Sequence, residues 1–147
     1  MLARATPDGH TLGMVDTAFV TNPSLFVKLP YDTLRDFDPV ALVASAPLVL
    51  LVHPGVPAAN AKELVALARA QPGRLTYGSA GTGSGAHLAG EQLRAAAGID
   101  IVHIPYKGSG QSIAELLGGQ ITMIFTSHST ARQHVASGRA RALAVTH

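Results

Sequence analysis

From Tyr77 to Ala86 the sequence reads YGSAGTGSGA, with Gly78, Gly81, Gly83 and Gly85 interleaved with Ser79, Thr82 and Ser84. Glycine lets backbone N–H groups approach a guest with no Cβ in the way, and the hydroxyls add further donors. An alanine-rich run carrying Leu88 and Leu93 follows and ends at Gly98, so a helix is expected to open near Ser84. Unsatisfied N–H groups and the positive end of the helix dipole make an anion the natural guest at such a place. The chemistry indicated is recognition of a carboxylate or a phosphate. Gly78 to Gly85 is also long for a plain strand-to-helix turn, where about two to six residues are usual.

Sharper templates fare worse. Gly81-Thr82-Gly83-Ser84-Gly85-Ala86 satisfies the G-x-G-x-x-A dinucleotide fingerprint, and Asp100 lies about 20 residues on. That acid belongs at the end of the next strand, however, and Asp100 stands at the beginning of one. A phosphate loop of the Gly-Lys-Ser/Thr kind is absent, and Tyr77-Gly78-Ser79-Ala80-Gly81 does not match a G-x-S-x-G nucleophile elbow. Among the seven histidines, His87 falls in the first turn of the helix, where it either braces the loop or touches a ligand. His103 reads as a structural residue inside a strand, His53 precedes a proline, and His128 and His134 are six apart. No i, i+4 pair and no triad spacing emerges, so neither a metal site nor a catalytic centre is expected, and no cofactor is called for.

Composition narrows the class further. With 47% hydrophobic and 14% charged residues in 147, the chain has the apolar surface for a globular core. The net charge of +2 comes from scattered basic residues, and only 5% of residues are aromatic, so no nucleic-acid footprint is present. The absence of cysteine excludes disulfides, thiolate metal sites and a cysteine nucleophile. MLARATPDGHTLG lacks a signal-peptide core, and the longest apolar run, Pro39 to Val52, is interrupted by Ser45 and Pro47. It is shorter than the ~18 residues of a membrane span and suits buried strands.

The loop needs elements to hold it, and from Pro57 onward helix and strand signals alternate. Asn60 with Glu63 forms an N-terminal capping pair ahead of Leu64, Leu67 and Ala68. Leu75–Tyr77, Ile99–Ile104, Gln120–Phe125 and Ala140–Val145 read as strands. Ser109 or Ser112 is placed to cap one further helix, and Ser129 another. This alternation predicts an α/β fold with a mostly parallel sheet covered by helices. The first ~55 residues are irregular and proline-punctuated, which suggests a boundary near residues 40 to 50.

Several blocks in order resemble the substrate-binding proteins of tripartite tricarboxylate transporters, the Bug family. They are PDGHTL at 7–12, NPSL at 22–25 with LPYD at 29–32, DFDPVALV at 36–43, Tyr77–Leu88, HIPYKG at 103–108 and LAVT at 143–146. The resemblance implies a type II periplasmic-binding-protein fold, mostly one α/β lobe plus part of the other. Residues 1–43 would belong to the first lobe, and 44–147 to the second lobe and its return hinge strand. It also implies a periplasmic, non-catalytic receptor that binds a small mono- to tricarboxylate and hands it to membrane permease components. Family members are typically about twice this length, so the chain corresponds to the middle of one, without the leader peptide.

Carried over by position, the second-lobe carboxylate loop falls on Ser79, Gly81, Thr82, Gly83, Ser84 and His87. The first-lobe loop falls near Thr17 and Ala18, across a cleft, with Asp16 an unexpected acid beside it. After QITMIF many relatives carry an aspartate where this chain has Thr126, which implies a ligand without an amino group.

Overall fold

The computed structural model describes residues 2–146, and the chain divides into two compact units, one ending at Ala44 and one beginning at Ser45. The first holds a short 3-10 turn at Leu2–Arg4 and one helix, α1 (Thr17–Leu25). Asp16 caps α1, its carboxylate accepting from the Ala18 amide at 3.0 Å. Phe19, Tyr31 and Phe37 form an aromatic trio with ring centroids 5.0 to 5.7 Å apart.

The second unit is a five-stranded sheet with helices on both faces. Its elements in order are β1 (Leu48–Val52), α2 (Ala61–Ala70), β2 (Thr76–Ser79), α3 (Gly85–Ala97), β3 (Val102–Pro105), α4 (Ser109–Leu117), β4 (Met123–Ser127), α5 (His128–Ala136) and β5 (Arg141–Val145). The spatial order is β3-β2-β4-β1-β5. β2 pairs in parallel with β3 and β4, whereas β1 runs antiparallel to both β4 and β5. The expected mostly parallel sheet is therefore mixed, with β1 alone reversed. Side-chain periodicity carries no strand direction, and β1 and β2 are not neighbours, so the helix between them does not force them parallel.

The apolar run LVLLV of β1 is buried on both faces, as a strand covered by two helical layers requires. Leu50, Val52, Tyr77, Met123 and Phe125 meet Leu64 and Ala68 of α2 and Ala89 of α3 on one side. Val49, Leu51 and Ile124 meet Leu116 of α4 and Ala131 of α5 on the other.

Local signals explain the helix ends. Asn60 Oδ1 accepts from the Glu63 amide at 3.0 Å, and the Glu63 carboxylate returns to the Ala59 amide at 2.8 Å, closing a reciprocal cap. Gly98 ends α3 with φ 59°. Two caps differ from expectation. Gly108 precedes α4 with no side-chain cap, Ser112 lying within the helix, and Ser127 rather than Ser129 caps α5. The strands also begin one to three residues later than the β-branched runs suggest, because Ile99 and Ile101 are buried in the approach to β3 rather than within it. The Arg141 guanidinium donates to the carbonyls of Ala58 (2.9 Å), Val56 (3.3 Å) and Pro54 (3.4 Å), tying the segment after β1 to the start of β5.

Candidate ligand site

β2, β3 and β4 point the same way, so their carboxyl ends share one edge of the sheet, and α3, α4 and α5 start there. In α/β sheets this edge is where ligands bind. The connection between β2 and β3 ends is tight, the Tyr106 amide donating to the Ser79 carbonyl at 3.0 Å.

The Ala80–Ser84 loop is held by its own polar groups. Gly81 and Gly83 adopt φ of 128° and 87°, backbone that side-chain-bearing residues rarely take. The Ser79 hydroxyl accepts from the Gly81 amide (3.1 Å), lies 3.0 Å from the Gly81 carbonyl and pairs with His103 Nε2 at 2.7 Å. Ser84 caps α3, accepting from the His87 amide at 3.3 Å while its hydroxyl donates to Gly81 O at 2.8 Å. His87 Nδ1 accepts from the Gly83 amide at 3.2 Å.

The residues singled out in the sequence thus separate into two sets. Ser79, at 1% exposure, is enclosed and its hydroxyl is committed to the loop, as are the Ser84 hydroxyl and the His87 Nδ1 atom. Thr82 is exposed, and among the described residues its hydroxyl and the amides of Thr82 and Gly85 have no hydrogen-bond partner. Thr126 is the penultimate residue of β4, opposite Val49 and on the α4/α5 side of the sheet. It is 6% exposed, and its hydroxyl has no partner among the described residues. Thr17 and Ala18 lie in the other unit, in the first turn of α1 rather than in a loop, with the Ala18 amide occupied by Asp16. That cap accounts for the unexpected acid.

His103 is more than a packed strand residue. Its ring stacks on Tyr77 with centroids 4.8 Å apart and lies 4.2 Å from the His87 ring. Burial, then the neighbouring His87 charge, holds its pKa below the ordinary histidine value. Tyr77 donates its hydroxyl to Glu91 at 2.7 Å, and burial followed by that bond keeps the phenol protonated well past its usual range. The bond from Tyr77 is in turn the largest influence lowering the Glu91 pKa. Sequence spacing had no means of finding this cluster, since Tyr77, His87 and His103 belong to three elements.

The dinucleotide reading fails on geometry. The Asp100 carbonyl accepts from the Gly73 amide at 3.0 Å, before both β2 and β3 begin, whereas the glycine loop follows the other end of β2. The acid and the loop are at opposite edges of the sheet. Among the described residues no cluster of metal-ligating side chains is present.

Comparison with known proteins decides the family. The model of the tripartite tricarboxylate transporter family receptor matches residues 1–147. The chain belongs to that family. It is 37% identical over 146 residues to a protein encoded in the tcbD-tcbE intergenic region of Pseudomonas sp. strain P51, covering 99% of this chain and 44% of that one. It is 34% identical over 145 residues to BugT of Bordetella pertussis, covering 97% of this chain and 44% of that one. The chain therefore spans about half the length of the curated relatives it matches.

Solved structures of similar proteins agree on the fold. The periplasmic binding protein BugD superposes with a TM-score of 0.88 at 32% identity, over 99% of this chain and 49% of that one. MatC from Rhodopseudomonas palustris, with bound malate, gives 0.81 at 28% identity, over 99% of this chain and 50% of that one. An R. palustris protein with adipate gives 0.77 at 31% identity, over 82% of this chain and 40% of that one. The mixed α/β sheet is thus the periplasmic-binding-protein fold, covering about half of those molecules. Among the described residues no helix is long and apolar enough to cross a membrane.

Proposed function

We propose that the chain is part of an extracytoplasmic solute receptor for a small organic carboxylate, working in the periplasm without catalysis. The observation that carries this reading is the braced loop at the start of α3, which leaves the Thr82 hydroxyl and the Thr82 and Gly85 amides unused beside a helix N-terminus. Such donors suit a carboxylate, and two similar structures hold malate and adipate. Ser79, Ser84 and His87 then serve by fixing the Gly81–Gly83 backbone, and Thr82 and Gly85 by donating to the ligand. Thr126 supplies a neutral hydroxyl at the same sheet edge, so a hydroxy- or unsubstituted acid is favoured over an amino acid. A contribution from Thr17 and Ala18 in the first unit, and delivery of the ligand to permease components of a tripartite transporter, complete the proposal. Residues 1–43 and 44–147 are assigned to the first and second lobes of the whole receptor.

Calorimetric titration with malate, adipate, citrate, aspartate and a nicotinamide dinucleotide tests it. Heat is expected with at least one of the non-amino acids and none with the dinucleotide. Binding of the dinucleotide alone would overturn the reading. Thr126→Asp is expected to weaken malate binding about tenfold or more, since it sets a carboxylate beside an anion. Unchanged affinity in that variant would remove Thr126 from the site.

A further inference from the structure

The best-connected feature outside the expected donors is the stack of Tyr77, His103 and His87 behind the loop. The chemistry of its hydrogen bonds fixes protonation states. The Gly83 amide can donate only to an Nδ1 that carries no proton, so the bond at 3.2 Å requires His87 to be neutral, with its proton on Nε2. A proton added at Nδ1 turns acceptor into donor and sets two N–H groups against each other. His103 reaches the loop by another route, through the Ser79 hydroxyl that holds Gly81. With the rings 4.2 Å apart, charge on one opposes charge on the other.

We propose that His103 is a positioning residue for the Gly81–Gly83 backbone, acting through Ser79, and that the His87–His103 pair makes the loop proton-sensitive. The loop is braced when both rings are neutral and released when His87 is protonated. Its effect on solute binding rests on the reading of this loop as a ligand contact; its effect on loop order does not.

The groups acting on the pair are few. Tyr77 packs on His103 from β2 with a phenol that stays protonated, so it brings no charge. Glu91 of α3 acts electrostatically on His103, favouring its charged form, and is itself coupled to His87. Its charge is shared, however, with Arg94 at 3.1 Å and with the Tyr77 hydroxyl at 2.7 Å. Burial and mutual repulsion outweigh it at His103, whose pKa lies below the ordinary value. The His103 ring is therefore neutral at pH 7 and above, the state in which its bond to Ser79 braces Gly81.

The test is amide hydrogen exchange by NMR on the ligand-free chain between pH 5 and 8, corrected for the intrinsic pH dependence of exchange. Protection of Gly83 is expected to fall at least tenfold towards pH 5. At pH 8, His103→Phe keeps a ring on Tyr77 but removes the bond to Ser79, and Gly81 protection should drop. Ser79→Ala should reproduce that drop, and His103→Gln should restore part of it. Leu64 and Ala68 amides report whether each variant is folded, and Ser79→Ala decides if His103→Phe is not. Gly81 and Gly83 protection indifferent to pH and to the folded variants would overturn the proposal.

A malate titration at pH 8 and 5.5 separates this from the function itself. Weaker binding at pH 5.5 is expected. Tighter binding there would show histidine acting as the ligand's cationic contact and overturn the positioning role. Absence of malate binding at both pH values would count against malate as the solute while leaving the exchange result to decide the loop.

Discussion

The two units of the chain use apolar residues in opposite ways. In the second, Leu51, Val52, Leu64, Tyr77, Ala68 and Met123 are almost wholly enclosed, because helices on both faces of the sheet cover its central strands. In the first, no described residue is buried; Met14, Leu34 and Leu42 are exposed, and internal order comes from an aromatic trio and one capped helix. Amphipathic pattern alone does not make a core. A second layer has to be present for the pattern to be buried.

The widest gap is expected from truncation. Leu51→Ala should cost about 2–5 kcal/mol of unfolding free energy, whereas Leu34→Ala, at 90% exposure, should stay within about 0.5 kcal/mol. Urea denaturation followed by circular dichroism measures both, and equal losses would break the contrast. Packing of α3 on β2 comes next. A side chain at Gly90 would overlap the Tyr77 ring, so Gly90→Val should lose about 1–3 kcal/mol, seen as a lower melting temperature.

Caps sharpen the comparison, since Ser84 and Asp16 make the same kind of bond in different surroundings. Ser84→Ala should cost about 1 kcal/mol in the cooperative transition. Asp16→Ala should fray α1, read by amide exchange at Ala18 and Phe19, without moving that transition. The smallest effect is a pH dependence confined to the second unit. His103 has a lowered folded pKa, so below the unfolded value of about 6.5 the unfolded chain binds more protons than the native one. Stability is therefore full above that value and declines as pH falls through it towards the depressed folded pKa. His103→Phe should flatten melting temperature between pH 5 and 7, and an unchanged slope would assign the dependence to other groups.

Much of the second unit was legible residue by residue. Asn60 with Glu63, Gly98 after an alanine-rich run and LVLLV act through neighbours a few positions away, so their patterns specify local structure directly, whereas Val40, Leu42 and Val43 of the same apolar run are exposed and outside any strand. The loop at Gly81–Gly83 and its place before a helix were equally local. What the sequence determined, then, is the element alternation, the ends of α2 and α3, and a donor-rich loop suited to an anion. Only the tertiary structure decided the reversal of β1. It also divided the loop's polar groups between bracing and unused donors, and set the rings of His87 in α3 and His103 in β3 beside each other. Those features depend on residues distant along the chain and adjacent in space, and no spacing rule along one strand or helix can encode them.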